Sequence, residues 1–510
     1  MKHTPTETDG KEDDMIQTWI SHGFEKITGS ARPPKVPRTD YSLSLARNSS
    51  DCVHITFFAY KSVQGISLSV QGEYDGLSCA LYKEAFVPVR GELYPDPLIP
   101  CLGPFDLEAG QPLNILAEFS AEKDCPPGDA QYVIEAKSPD GETVGTYRVL
   151  VHIWRFALPE SPSCETAIGL VLGHMLKFHH PGTEAETEAL YKSYYDTLLA
   201  HKMSAYTMPY DVLDPRADSY MSDPRVTTFC CDYEIGTTYH GFEDDDLVKR
   251  IGLKLASNPV WLRKAYAYPL DEPRCMDHLV RLKAQTERLR RLIPGIHQVI
   301  PFYTDIDVDG KTDQVAYMAP LHDIWCPKAA LFQEIYSEEQ AAKFPPFPER
   351  MAEEQRRGKR VWWYVCNYPQ PPYLNVFTND PGISGRALFW QQYRYGVTGF
   401  LYWGSNSWGR LADPWLDTDT FGNDIHGDGI LFYPGEKAGI HGPVVSLRMK
   451  ILRSGIEDFD LFTLAGQIVG REAVTEKILS VVPSLTEVRG SGDKLLEIRK
   501  EIGDLIEKGT

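Results

Sequence analysis

At Leu158-Pro-Glu-Ser-Pro-Ser163 the chain changes its rhythm, and that change limits its fold more than any other feature. Beyond this linker, short apolar runs alternate with helical stretches. Candidate strands fall at 168–172, 205–208, 229–233, 266–270, 298–303, 323–326, 361–366 and 400–403. One helical piece opens with a capping box, Thr183-Glu-Ala-Glu186, and continues through Leu190, Tyr194 and Leu198. Residues 384–395 read as another. Strands that alternate with helices form a parallel sheet, because each crossover returns the chain in the same direction. Eight such units over about 290 residues match the size of a (β/α)8 barrel. From residue 444 onward the pattern is mainly helical, an extension that packs on the barrel.

Before the linker the character is β. Runs such as Val53-His-Ile-Thr-Phe-Phe58, Ile66-Ser-Leu-Ser-Val70 and Gln131-Tyr-Val-Ile-Glu135 are separated by Pro95-Asp-Pro97, Pro126-Pro-Gly-Asp129 and Pro139-Asp-Gly141. Short strands between frequent turns predict an all-β sandwich. With 510 residues the chain exceeds one ordinary core. The expected organisation is a tail over 1–30 with one short helix around 15–24, a β-sandwich over 31–158, and a (β/α)8-like catalytic barrel with C-terminal helices over 159–510.

Fifty-two basic against 71 acidic residues give a net charge of −19, which repels polyanions and disfavours nucleic acid or anionic membranes as partners. No apolar run approaches the ~20 residues that span a bilayer. The first fourteen residues are polar and hold no apolar core of a signal peptide, so the expected location is the cytoplasm, or outside it with a leader removed. Ten cysteines contain no C-x-x-C pair, so structural zinc is not expected. Unpaired thiols fit a reducing compartment, and the vicinal Cys230-Cys231 reads as two small buried residues.

The motif that carries chemistry is Asp271-Glu272-Pro273. An aromatic, strand-like run ends on Asp271, and Pro273 suits the first turn of a helix that runs to about Ile293 with Leu279, Leu282 and Leu289 on its stripe. The pair therefore stands where a strand gives way to a helix, the edge at which barrels do their catalysis. Acid–base work on a sugar needs two carboxyl groups in different protonation states. The competing reading is that acids simply favour helix N-termini.

Aromatic residues recur after the predicted strands: Tyr303, Trp325, Trp362-Trp363-Tyr364, Trp390, Tyr402-Trp403 and Trp408. Sugar rings present apolar faces and polar edges, which rings with a polar handle suit, although core packing claims most single aromatics. The expected binding set is Tyr303, Trp325, Trp363, Tyr364, Asn367, Tyr402, Trp403, Asn406 and Asp413. Trp362 and Trp363 alternate faces, so at most one of them enters a given pocket. The acid-rich loop 411–428 either binds hydroxyls or is solvated. Asp305-Ile-Asp307-Val-Asp309-Gly310 resembles half of a calcium loop, but its twelfth position is Ala316, so a polar turn is the better reading. Neither a metal nor a cofactor is expected. H-E-x-x-H, P-loop, dinucleotide and G-x-S-x-G signatures are missing.

Taken together, several segments resemble glycoside hydrolase family 123, the bacterial β-N-acetylgalactosaminidases, or the related group sharing its catalytic domain. They are Tyr268-Pro-Leu-Asp-Glu-Pro273, Gly396-Val-Thr-Gly-Phe-Leu-Tyr-Trp403 with Asp413-Pro-Trp415, Asp428-Gly-Ile-Leu-Phe-Tyr-Pro-Gly435, Gly442-Pro-Val-Val-Ser-Leu-Arg448 and Leu452-Arg-Ser-Gly-Ile-Glu-Asp458. Tyr94-Pro-Asp-Pro-Leu-Ile-Pro100 also fits. The resemblance implies a sandwich followed by a catalytic barrel, an acid pair at Asp271 and Glu272, and an oligosaccharide or glycoconjugate substrate ending in β-linked N-acetylgalactosamine. Consecutive carboxyls struggle to flank one sugar from opposite faces, so they suit catalysis in which the substrate's acetamido group is the nucleophile. In that scheme Glu272 is the acid and base, Asp271 holds the acetamido N–H, and Tyr303 or Tyr364 donates to the acetamido oxygen. A glycosidase of other sugar specificity and a non-catalytic glycan-binding protein remain as alternatives.

Overall fold

The computed structural model describes residues 15–101, 103–232, 243–304, 306–309, 311–332 and 344–509. Two five-stranded sheets form first along the chain. One runs in the order Ile16–His22, Ser49–Ala59, Pro112–Ala121, Leu77–Val89, Glu92–Pro100 and is antiparallel throughout. The other places Asp40–Arg47 parallel to Thr143–Ala157, followed by Gly128–Lys137, Val63–Gln71 and Phe105–Leu107. Val53, Ile55 and Phe57 of the first sheet meet Tyr147, Val149 and Val151 of the second in one core. Two expectations fail here. Residues 16–22 are a strand rather than a helix, because Ile16, Thr18, Trp19 and Ile20 favour an extended, half-buried edge and Ile20 enters the sandwich core. Pro95-Asp-Pro97 lies within a strand, not a turn, and that strand borders its sheet, where missing N–H groups are tolerated.

After the linker, seven strands form a parallel sheet in the order Glu165–Ile168, Gly399–Tyr402, Arg360–Val365, Ile324–Pro327, His297–Phe302, Ala265–Ala267, Phe229–Cys230. The sheet curls until its two ends nearly meet. Across the gap, the Ile168 N–H donates to Ser204, the Tyr206 N–H to Ile168, and the Cys230 N–H to Tyr206, at 2.8–3.0 Å. The expected strand at 205–208 is thus a single bridge at Ala205. Lys202 holds a left-handed conformation (φ 63°) on one side, and Pro209 has no N–H on the other, so little chain is left to extend. Inward-facing Ala167, Cys230, Tyr266, Val299, Ile324, Trp362 and Leu401 fill the interior. Cys230 and Cys231 are both buried.

Helices Leu447–Val469, Arg471–Val481 and Gly492–Gly509 close the chain. The first of them is buried along most of its length because the barrel and the sandwich clasp it from two sides. Its charged residues meet partners there. Arg448 pairs with Asp96 at 2.7 Å, Lys450 and Arg453 share Glu118 at 2.9 and 2.5 Å, and Asp458 takes Arg386 and Arg499 at 2.8 and 2.6 Å. Arg386 also reaches Asp51 at 3.1 Å. Among the described residues no helix is long and apolar enough to cross a membrane.

Asp460 on the same helix fixes the linker by accepting the Ser163 N–H at 2.6 Å. Burial pushes its carboxyl up to about 7. In the unfolded chain an aspartate titrates near 4, so the folded state holds an extra proton between those values. The stability from this site is complete below about pH 4 and is lost as pH rises through about 7. Asp460→Asn keeps an acceptor without the charge. It is expected to melt near the wild-type temperature at pH 4 and several degrees above it at pH 8, and equal shifts at both pH values would contradict this.

Candidate active site

The C-terminal ends of the barrel strands surround a cavity of about 330 Å³, with Asp271, Glu272, Tyr364, Asn367, Trp403 and Asp428 among its lining residues. Its placement follows from strand direction, since all seven strands run the same way and end on one face. The strand Ala265–Ala267 stops early, and Tyr268–Glu272 forms the rim. The Tyr268 N–H donates to Asp232 at 2.9 Å and its hydroxyl donates to Asp271 at 2.7 Å. Glu272 holds a left-handed conformation (φ 41°) that costs a side-chain-bearing residue about 1–3 kcal/mol. Its N–H donates to Pro301 at 3.2 Å, and the Tyr364 hydroxyl donates to its carboxylate at 2.5 Å. Arg274 stands 3.4 Å from its other oxygen. Burial first, and then the adjoining carboxylate, holds the phenols of Tyr268 and Tyr364 well above their ordinary range, so both remain donors.

The helix after the pair begins at Met276, not at Pro273. The reversal at Glu272 and the extended Cys275 delay it, so the acids do not cap a helix. Leu279, Leu282, Leu289 and Ile293 are buried on one stripe as expected.

The far wall comes from the strand Gly399–Tyr402 and the loop after it. Asp428 is fully buried between Gly427 and Gly429, both at positive φ. A Cβ on Gly429 would lie 2.4 Å from the Trp403 ring, so only glycine allows this approach. The Trp403 indole N–H and the Tyr402 hydroxyl donate to Asp428 Oδ1 at 2.9 and 3.3 Å. Burial pushes the Asp428 carboxyl up to about 6. Arg448 donates to the carbonyls of Gly427 and Val376 while held by Asp96, so the sandwich braces this wall.

The other expected binding residues lie elsewhere. Trp325 packs outward on Phe302, and its indole donates to Glu354 at 3.2 Å. Trp363 packs outward against Phe332 and Tyr395, while Trp362 faces the barrel interior and donates to Glu165 at 2.8 Å; neither lines the cavity. Asn406 is a brace, bonding both the N–H and the carbonyl of Val171 at 3.0 Å. Asp413 accepts the Trp415 N–H and pairs with Lys437. Tyr402 lies beneath Asp428 and also accepts the Gly429 N–H. Tyr303 stands between the Lys328 ammonium at 4.5 Å and the Arg274 guanidinium at 5.5 Å. Residues 233, 305 and 310, the end of one expected strand and two of the half calcium loop, lie outside the described residues. Asp309 accepts the N–H groups of Lys311 and Thr312 in a polar turn. Among the described residues no cluster of ligating side chains could hold a metal ion.

Sequence reasoning did not include Tyr206, Tyr268, Cys366, Phe421 or Asp428 in the binding set, yet all five line the cavity. The available signal for Asp428 was its place between two glycines ahead of the apolar run Ile430-Leu-Phe-Tyr433.

Residues 313–465 match the family model described as Glycoside hydrolase 123, catalytic domain. That stretch is similar to the catalytic domain of family 123 glycoside hydrolases. The matched segment includes Tyr364, Trp403, Asp428 and Arg448 and begins downstream of the acid pair. A family 123 glycoside hydrolase from Clostridium perfringens, solved to detail glycolipid glycan hydrolysis, superposes with a TM-score of 0.66 at 13% identity. That match covers 97% of this chain and 98% of the other, so the two share the fold of sandwich and barrel together. A FixG-related protein from Vibrio parahaemolyticus matches 28% of this chain and 97% of its own at 10% identity, with a TM-score of 0.16 that carries no argument. No curated protein matches the sequence.

Proposed function

We propose that this glycoside hydrolase is a retaining exo-enzyme that releases terminal β-linked N-acetylgalactosamine by substrate-assisted catalysis. The observation that carries the reading is the pairing of consecutive carboxyls on one rim segment, each with its own phenol donor, at the mouth of a cavity of about 330 Å³. That volume is at the small end for ligand sites and suits one sugar ring rather than a length of chain. A separate nucleophile and acid flank the scissile bond from opposite faces in ordinary retaining enzymes, which neighbouring residues do poorly.

In the proposed reaction Glu272 gives its proton to the glycosidic oxygen as the bond from that oxygen to C1 breaks. The acetamido carbonyl oxygen forms a new bond to C1 from the opposite face. Asp271 accepts the acetamido N–H and offsets the positive charge of the oxazolinium ring. Glu272, now a carboxylate, takes a proton from water as the water oxygen attacks C1 and the ring reopens. Two inversions leave the configuration retained. Tyr268 and Tyr364 hold the two carboxyls by hydrogen bonds, and the half-buried Trp403 offers an apolar face to the sugar.

Hydrolysis of aryl N-acetyl-β-galactosaminide, with little or none of the matching β-galactoside, is the expected result of a substrate panel. Asp271→Asn is expected to lose about 10²–10³ in kcat, the usual scale for removing a group that stabilises transition-state charge. Azide should not restore it, since no enzyme carboxylate is the nucleophile. A glycosyl azide formed efficiently by Asp271→Ala would overturn the mechanism.

A further inference from the structure

Asp428 stands across the cavity from the acid pair. Around the barrel, counting the Ala205 bridge, the strand Gly399–Tyr402 is half-way round from Ala265–Ala267, and Asp428 is bonded to residues at the end of that strand. Its Oδ1 already accepts Trp403 and Tyr402. Its Oδ2 is buried and has no side-chain partner, and the Asn367 N–H that also faces the carboxyl makes no well-formed hydrogen bond to it. An unpaired oxygen on a buried carboxyl is costly, and one that lines a sugar-sized cavity is matched by a donor on the ligand. A carboxyl that burial has pushed up to about 6 is one whose charge the protein alone does not fully satisfy.

If the pair works at C1 and C2, the part of the sugar that reaches the far wall is the edge bearing the 4- and 6-hydroxyls. We propose that Asp428 is the specificity-determining residue of this site, its Oδ2 accepting a hydrogen bond from the 4- or the 6-hydroxyl of the terminal sugar. The proposal rests on the glycosidase reading but not on the acetamido group. It also accounts for exo-action, because a further sugar attached at the hydroxyl that Asp428 reads would meet the buried wall of Trp403, Tyr402 and the Gly427–Gly429 turn.

The test uses the aryl glycoside that the full chain hydrolyses best, together with its 4-deoxy and 6-deoxy analogues. A hydrogen bond to a charged group corresponds to about 10- to 100-fold in kcat/KM, so the wild-type enzyme is expected to lose that much on one analogue. Asp428→Asn should lose a similar factor on the parent substrate, and its discrimination between parent and that analogue should shrink below about threefold. Asp428→Ser replaces it if the amide variant does not melt cooperatively. A wild-type enzyme that treats both deoxy analogues within about twofold of the parent overturns the proposal without any variant. So does a folded Asp428 variant that keeps the full wild-type discrimination. An enzyme that prefers a simple galactoside and still shows the deoxy effect would sink the acetamido mechanism and leave Asp428 in its role.

Discussion

Glu272→Gln lowers kcat by about 10³ on glycosides with poor leaving groups, within the range for losing a positioned general acid. The amide keeps the size and the Tyr364 contact but has no proton to give. The loss should shrink as the leaving group becomes more acidic, because a nitrophenolate departs with little protonation. A plot of log kcat against leaving-group pKa is therefore expected to be steep for the variant and shallow for the wild type. The geometry explains why this one carboxyl is so placed. A left-handed backbone at Glu272, the Pro301 carbonyl on its N–H and the Tyr364 hydroxyl on its oxygen together fix its direction at the rim. Equal slopes for the two enzymes would remove Glu272 from the proton-transfer step.

Arg448→Met destabilises the chain by about 3–5 kcal/mol, the cost of breaking one partner out of a buried ion pair. Arg448 is almost fully buried and hydrogen-bonds Asp96 from the sandwich and the carbonyls of Val376 and Gly427 from the barrel. Removing it strands the Asp96 charge. The Tyr433 hydroxyl still donates to Asp96 at 2.5 Å, but it supplies no positive charge. Urea unfolding is expected to show the loss as a fall in midpoint with little change in slope. Adding Asp96→Leu should recover part of it, since an apolar pair tolerates burial that a lone carboxylate does not. A single variant within 1 kcal/mol of wild type would mean that the sandwich does not brace the barrel in this way. The same contact reaches the cavity wall, because Gly427 precedes Asp428.

The alternation of strand and helix was legible because each strand is a short apolar run bounded by turns, and parallel strands buried on both faces need no finer pattern. Side-chain direction within the runs was less so. Pleat alone says that Trp362 and Trp363 face opposite ways, but only the packed structure places Trp362 in the interior against Tyr266 and Trp363 against Phe332. Asn406 and Asp413 belong to strand-end loops, as their positions implied, yet Asn406 is spent on the backbone of Val171 in a neighbouring loop and Asp413 on the backbone of its own. Bonding to backbone is a common use of Asn and Asp that no spacing reveals. The residues 16–22 misled for a related reason. Their pattern is compatible with a helix, and it is the partner strand Ser49–Ala59, well downstream and unseen in local propensity, that decides. Asp428 escaped because acids in a loop are usually solvated, whereas its carboxyl is met by Tyr402 and Trp403 from one segment while Arg448, from another, holds the adjoining Gly427.

The central claim of the proposed mechanism is that the substrate's own amide attacks C1. It is tested most directly by kcat/KM on aryl β-glycosides whose N-acetyl group carries zero, one, two or three fluorines. Fluorine withdraws electrons from the carbonyl oxygen without altering the leaving group. The mechanism predicts a steep, monotonic fall in rate across the series, and rates that stay level from acetyl to trifluoroacetyl would contradict it.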